Sequence, residues 1–391
     1  MTPSASASAQ AQTQGQAQAP EGIPFFDPGV LVEDRDAFLA GLREVGTDPE
    51  QKFILGRRTA ELERKLAERT GAREVVACAS GTGGLALALG ALGTGPGDEV
   101  IVPAYCFAAV AAVVVNSGAT PVFADVDPET MVLDPARVEE LITPDTKAII
   151  PAHLFTTMAD MPRLMEIARR HGTSVVEDAA VAQGAVQGGV PAGRWGDLGV
   201  YSFFPIKAFG GPGEGGVVLT DDPASARDVR MLRNHGQDGI HRFLHHRVGH
   251  NSRYDEVQAA FQLHRLPGLA ERVERRARIV DYYTERFAPL RDKGVVTPPP
   301  GRDGRCFHAY ALLAPERDAL RAHCAAAGVG TQVHYPVPLP LSGAFGRYAA
   351  EGDSWPGAER ASAQNLAIPL WPRLSEHDIE HIADTVCAFF A

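Results

Sequence analysis

Lys207 is the residue of this sequence best placed for covalent chemistry. It stands in VYSFFPIKAFGGPGEGG, residues 200–216. A β-like apolar run at 200–204 leads to it. Gly210, Gly211, Gly213, Gly215 and Gly216 follow, and 217–219 reads as a returning strand. Phe203, Phe204, Pro205, Ile206 and Phe209 surround the lysine with apolar groups. Burial among them penalises the ammonium and favours the neutral amine. A neutral, positioned amine forms a Schiff base with an aldehyde cofactor. The plainer alternative is a lysine that snorkels out of a strand end.

Pyridoxal 5'-phosphate (PLP) chemistry requires four features together. These are a Schiff-base lysine, an acid against the pyridine nitrogen, an aromatic against the ring, and donors for the phosphate. Asp178, in VVEDAA, suits the acid. It follows an apolar run, where an unpaired carboxylate is costly; a helix N-cap is the alternative. Ser80-Gly81-Thr82-Gly83-Gly84 suits the phosphate, because glycines admit an anion to the free N–H groups of a helix start. The run is neither GxGxxG nor a P-loop, which argues against a nicotinamide or ATP enzyme. Ser202, five residues before Lys207, offers a hydroxyl. Phe107 is the candidate for ring stacking, with ordinary core packing as its alternative.

These residues need a scaffold that gathers them. Apolar runs at 74–77, 99–102, 120–126, 148–152 and 174–177 alternate with helical stretches at 85–92, 107–116, 135–142 and 161–171. Two further helices, 34–45 and 57–69, precede them. Such alternation predicts an α/β fold with a mainly parallel sheet covered on both faces. Ligands in such sheets bind beyond the carboxyl ends of the strands, where Ser80, Pro103, Asp178 and Lys207 fall. Past residue 222 the order changes to helices at 224–233, 254–265 and 269–290. A smaller α+β unit follows the PPPG break, with strands at 309–313 and 330–334 and helices at 316–327 and 376–390. The expected division is a disordered tail at 1–20, a large domain at 21–260 and a small C-terminal domain at 261–391.

Composition narrows the class. The 391 residues are 45% hydrophobic, enough for a large core, and carry a net charge of -11. That balance argues against nucleic-acid binding, which needs a basic footprint. Five cysteines without CxxC spacing fit free thiols in a reducing cytoplasm. The N-terminal Ala/Ser/Gln stretch lacks a basic start and an apolar centre, so it is not a secretory signal. The longest apolar run, 106–115, is too short to cross a membrane.

Taken in order, the motifs resemble the PLP-dependent sugar aminotransferases of the DegT/DnrJ/StrS type, from Ile23 to Ala391. The resemblance is carried by FILG at 53–56, SGT at 80–82, GDEVIVPAY at 97–105 and GATPVFADVDPET at 118–130. It continues through HLF and ADM within 153–161, VEDAA at 176–180, SFFPIK at 202–207 and GEGG at 213–216. RNHG at 233–236, NSR at 251–253 and VHYP at 333–336 complete it. It implies the aspartate-aminotransferase fold (fold type I), with the large PLP-binding domain followed by the small one. It also implies roles. Lys207 carries the cofactor and then shuttles the proton, while Asp178 pairs with the pyridine nitrogen. Phe107 stacks on the ring, and Gly81, Thr82 and Ser202 hold the phosphate. Asn251 reaches the phosphate of a neighbouring subunit, so the implied assembly is a homodimer with shared sites. His334 and Tyr335 line the substrate side.

The chain departs from the pattern at Val181, where the family has Gln or His, at Ala208 in place of Asn, and at Thr156 in place of Gly. Gln183 is a candidate to replace the hydrogen bond lost at Val181. Arg233, Arg247 and Arg253 are candidates for the donor's carboxylate. Relatives that carry histidine at the lysine position are dehydratases, and Lys207 argues against that branch. The implied reaction moves an amino group from L-glutamate or L-glutamine to carbon 3 or 4 of a keto sugar on a nucleotide, dTDP being the usual case. An aminocyclitol route through a keto-inositol is the alternative. A non-catalytic PLP-binding regulatory protein is the remote one.

Overall fold

Apolar runs alternating with helical stretches build one central sheet. A computed structural model of the chain describes residues 22–27, 29 and 32–391; the tail expected at 1–20 lies outside the described residues. Helices α1 (Arg35–Gly46) and α2 (Arg57–Thr70) come first. Then β1 (Glu74–Cys78), α3 (Gly81–Ala91), β2 (Glu99–Pro103), α4 (Ala109–Ser117), β3 (Thr120–Ala124) and α5 (Pro135–Leu141) alternate. They are followed by β4 (Thr146–Ile149), α6 (Met161–His171) and β5 (Ser174–Asp178). A small ribbon of β6 (Val186–Gln187) and β7 (Val190–Pro191) precedes β8 (Leu198–Ser202) and β9 (Gly216–Thr220).

The seven strands of the sheet run in the order β1-β9-β8-β5-β4-β2-β3. Pairings from β8 through β3 are parallel, and β9 lies antiparallel to both neighbours. The returning strand expected after the glycines is thus β9. Every residue of β8 and β9 is buried, as expected of strands covered on both faces.

The helices α7 (Pro223–Leu232), α8 (Glu256–Arg265) and α9 (Leu269–Phe287) lead to β10 (Tyr310–Leu313) and α10 (Arg317–Ala326). The chain ends with α11 (Pro356–Gln364), β11 (Asn365–Ile368) and α12 (Glu376–Phe389). Strand β10 pairs antiparallel with β11 and alternates between two cores. Ala311 and Leu313 join the core of the large sheet, whereas Tyr310 and Leu312 join a second core with α9 and α12.

Two expectations fail here. Residues 330–334 form no strand; only Gln332 bridges to Ala367. The strand beside β10 is β11, preceded by α11, and neither was anticipated. Pattern alone does not separate them, because three apolar residues at a helix end, Leu366 to Ile368, read as helix or strand alike.

Two carboxylates, one buried and one half-buried, tie the N-terminal helices to this frame. Glu256, at the start of α8, accepts the N–H groups of Gly56, Arg58 and Thr59 and so caps α2 from outside. Glu63 of α2 accepts Ala77 N–H at 2.8 Å and Arg233 Nη1 at 2.7 Å, while Arg233 also donates to Ala77 O. These bonds satisfy the outer edge of β1, which no further strand covers.

Candidate active site

The ends of β1, β5 and β8 lie together at one edge of the sheet. Cys78 and Ser202 both register with Gly216, and Asp178 registers with Val200. Asp178 ends β5, and the segment after it forms turns rather than a helix. Its carboxylate therefore caps no helix; Oδ1 accepts only Ala180 N–H, at 3.0 Å, among the described residues. Burial raises its pKa, and the Ala180 N–H, Lys207 and His153 pull it back down. Lys207 sits in the turn after β8, with its N–H on Phe204 O and its carbonyl accepting Gly210 N–H, each at 2.9 Å. Burial lowers its pKa, while Asp178 and Glu214 raise it. A lysine and an aspartate thus stand close enough to feel each other, and each is pushed toward neutrality.

The cradle beside them is the start of α3. The helix begins at Gly81, four residues earlier than the periodicity suggests, so the glycines are its first turn. Ser80 is its extended N-cap, and its Oγ accepts Gly83 N–H at 2.9 Å. The first N–H groups of a helix have no partner within it, which leaves those of Gly81 and Thr82 for an anion. A Cβ on Gly81 would come within 2.8 Å of the Ser202 Cβ. Only glycine lets α3 approach β8 this closely, and that approach places the Ser202 hydroxyl beside the helix end.

Phe107 lies in the segment between β2 and α4 and is 61% exposed, so core packing is excluded. An exposed ring beyond a strand end offers a free face for stacking. Asn251 is exposed and bridges Asn234, with its Oδ1 accepting Arg253 Nε at 3.1 Å. His334 and Tyr335 pack with Phe155 and Tyr105. Tyr105 donates to His334 O at 2.9 Å. Tyr335 and Phe155 have positive φ, 52° and 56°, a left-handed conformation that costs non-glycine residues energy. Burial lowers the His334 pKa to about 4, with Lys207 adding to the effect. Burial also raises that of Tyr335, helped by Cys106 and Asp178. The structure thus brings Asp178, Lys207, His334 and Tyr335 into one electrostatic neighbourhood.

Some expectations are corrected. Gln183 does not face the site as a replacement hydrogen-bond donor; its Nε2 is spent on Ser202 O at 2.7 Å and Ala180 O at 3.1 Å. Val181 packs instead on the apolar cluster under α2 and β9. The positive φ of the 154–157 turn falls on Phe155, which explains why Thr156 is accommodated. Arg233 and Arg247 are occupied, by Glu63 and by Asp228 and Gly90 O respectively. Arg253 forms no ion pair among the described residues. His308 was not anticipated. Burial lowers its pKa far below the ordinary value, and Lys207, Arg276 and His334 act in the same direction. Its signal was a histidine set directly before an apolar strand, in CFHAY.

The arrangement fits PLP on four independent counts. A half-buried amine is held near neutrality. A half-buried acid beside it, its pKa raised by burial, is destabilised unless a cation such as a protonated pyridine pairs with it. An exposed aromatic face and a helix start packed against a serine hydroxyl complete the set. A mainly parallel sheet with such a lysine turn defines a PLP-dependent transferase of fold type I. The chain belongs to the DegT/DnrJ/EryC1/StrS aminotransferase family, whose model matches residues 36–387. It is a PLP-dependent aminotransferase.

The chain is 41% identical over 352 residues to the UDP-N-acetyl-3-dehydro-alpha-D-glucosamine 3-aminotransferase of Acidithiobacillus ferrooxidans, covering 90% of this chain and 93% of the relative. It is 38% identical over 368 residues to the dTDP-3-amino-3,4,6-trideoxy-alpha-D-glucose transaminase of Streptomyces venezuelae, covering 93% and 95%. A pleiotropic regulatory protein of Geobacillus stearothermophilus is 40% identical over 87% of this chain and 91% of its own length. Among solved structures, S. venezuelae DesV in complex with a ketimine intermediate superposes with a TM-score of 0.89 at 37% identity, over 94% of this chain and 98% of that one.

Proposed function

We propose that the protein transfers an amino group from L-glutamate or L-glutamine to the keto group of a nucleotide-linked keto-deoxysugar, in amino-sugar biosynthesis. dTDP is the favoured nucleotide. The observation that supports this is the meeting of Lys207, Asp178 and the α3 cradle in a chain whose relatives named above include transaminases of nucleotide-linked sugars.

When bound, PLP supplies an aldehyde carbon that carries the amino group and a ring that accepts the electron pair of the broken Cα–H bond. The chain's own groups do the rest. Lys207 Nζ, kept near neutrality by burial, takes the proton from the donor's α-carbon and returns it on the other side of the transfer. The Asp178 carboxylate pairs with the pyridine nitrogen and keeps it protonated, which favours the electron-rich transition state. Phe107 holds the ring by its face. Gly81 and Thr82 N–H groups and the Ser202 hydroxyl hold the phosphate, with Asn251 supplied by a second copy of the chain in a homodimer. His334 and Tyr335 border the sugar. Five free cysteines support a reducing, cytoplasmic setting.

The test offers a dTDP-linked keto sugar and a keto-cyclitol, each with L-glutamate and with L-glutamine, and reads amine product by mass. Product from the cyclitol alone would overturn the sugar assignment. A second reading, a PLP-binding regulator, is favoured by the name of one relative. It requires that the cofactor's visible absorbance persist with every amino donor.

A further inference from the structure

A cavity of about 100 Å³ opens beside Lys207. Its walls come from the N-terminal stretch around Phe25, from α8 and α9, and from loop 370–373. Arg265, Arg272 and Arg276 line it. Arg272 and Arg276 are one turn apart on α9, so both reach the same side. Three carboxylates, Asp27, Glu33 and Asp34, also border the cavity, but they serve other cations. Asp27 and Glu33 face Arg373, and Asp34 faces Arg265 at 3.4 Å and His264 at 3.1 Å. Among the described residues neither Arg272 nor Arg276 has a carboxylate partner. Arg272 donates to Arg265 O at 2.6 Å, and Arg276 to His308 O at 3.1 Å and Leu370 O at 2.6 Å.

Arg276 is 7% exposed. Its Nε and that of Arg272 have no acceptor among the described residues, nor have His308 Nδ1 and His334 Nε2 a partner on the same wall. Burial lowers both arginines to about 10, with Arg265 acting in the same direction. Buried donors without acceptors are costly; the two arginines on this wall carry such groups and have no carboxylate partner among the described residues, and an anion in the cavity would supply their counter-charge.

We propose that this cavity receives the α-carboxylate of the amino donor, held by Arg272 and Arg276 with His308 and His334 alongside. The inference rests on the aminotransferase reading with an amino-acid donor. A guanidinium fork matches a carboxylate's two oxygens. In an amino acid the α-amino and α-carboxylate groups share one carbon, so a carboxylate seat must adjoin the lysine that handles the α-proton, as this cavity does. Its volume corresponds to about three waters. That is room for a carboxylate.

The experiment uses PLP-loaded wild type, Arg272→Gln, Arg276→Lys and the distant surface control Arg64→Gln. Arg276→Lys retains a donor for the two carbonyls. Loss of the cofactor's visible absorbance is followed against L-glutamate and L-glutamine concentration. The half-saturating concentration of both donors should rise about tenfold or more in the cavity variants, with a smaller change in limiting rate and no change in Arg64→Gln. A rise for glutamate alone would place the side-chain carboxylate in the cavity and overturn the assignment, as would no rise at all. Independently, propionate is titrated against the fluorescence of Trp371, which lines the cavity, with Trp371→Phe as the signal control. Propionate binding that weakens in Arg272→Gln supports the site; unaltered binding, or displacement of propionate by dTDP, overturns it. If wild type accepts the amino group from neither donor, the donor assignment of the proposed function falls, and the propionate titration alone decides the cavity.

Discussion

Lys207 and Asp178 set the chemistry through opposed electrostatics. Burial drives Lys207 below its ordinary 10.5 more strongly than Asp178 and Glu214 hold it up. A lowered ammonium pKa enlarges the neutral fraction at every pH below it. Capture of PLP should therefore rise with pH and level off below 10.5, as stopped-flow absorbance will show, and Lys207→Ala should abolish multiple-turnover transamination. Asp178→Asn should retain PLP but slow the donor half-reaction on the order of 10²-fold, because a neutral amide does not keep the pyridine protonated. His334 gives a test without cofactor. Its pKa falls from 6.5 to about 4 on folding, so the unfolded chain binds more protons between those values. Stability then rises with pH across that window. His334→Gln should remove up to about 3 kcal/mol of this dependence, read as a smaller difference between urea midpoints at pH 4 and pH 7. His308 shifts in the same direction and should add to the slope.

At the scale of elements, the phosphate cradle depends on how closely α3 meets β8. Gly81→Ala inserts a methyl group 2.8 Å from the Ser202 Cβ. It should cost about 1–3 kcal/mol by overpacking and weaken PLP binding more than it lowers the melting temperature predicts. Ser80→Ala removes the N-cap and should cost about 1 kcal/mol. Glu256→Ala strips three backbone N–H groups of α2 of their buried acceptor and should destabilise by about 2–4 kcal/mol, measured by chemical denaturation. The long, strongly periodic elements were legible: α6 falls on the expected 161–171, and Gly71 ends α2 with φ 73°. The start of α3 was not, because glycine's poor helix propensity argues for a loop. Packing of Gly81 and Gly84 against Ser202 and Val200 overrides it.

At the scale of the molecule, the 236–250 segment carries unusual apolar exposure. Ile240 is 81% exposed and Val248 96%, and Phe243 is also open to solvent. Clustered exposed apolar side chains mark an interaction surface, and the segment leads directly to Asn251. In the homodimer proposed above, this segment is expected at the interface. Sedimentation should then give twice the 41.7 kDa chain mass, and Val248→Asp should shift the population toward monomer and weaken PLP binding together. No helix among the described residues is long and apolar enough to cross a membrane.

Read alone, the sequence carried the kind of sheet in its strand–helix alternation and the reaction class in the order of motifs that resembles the aminotransferase family. Lys207, Asp178, Ser202 and the glycine run are legible as candidates because their local neighbours suit such chemistry, and strand–helix alternation is a local pattern. Tertiary structure decided what depends on residues far apart in the chain. It spent Gln183 on Ser202, consumed Arg233 and Arg247 in structural pairs, exposed Phe107, and brought His308 and the arginines of α9 to the lysine. Burial and charge balance are sums over space, and the one-dimensional order of residues does not contain them.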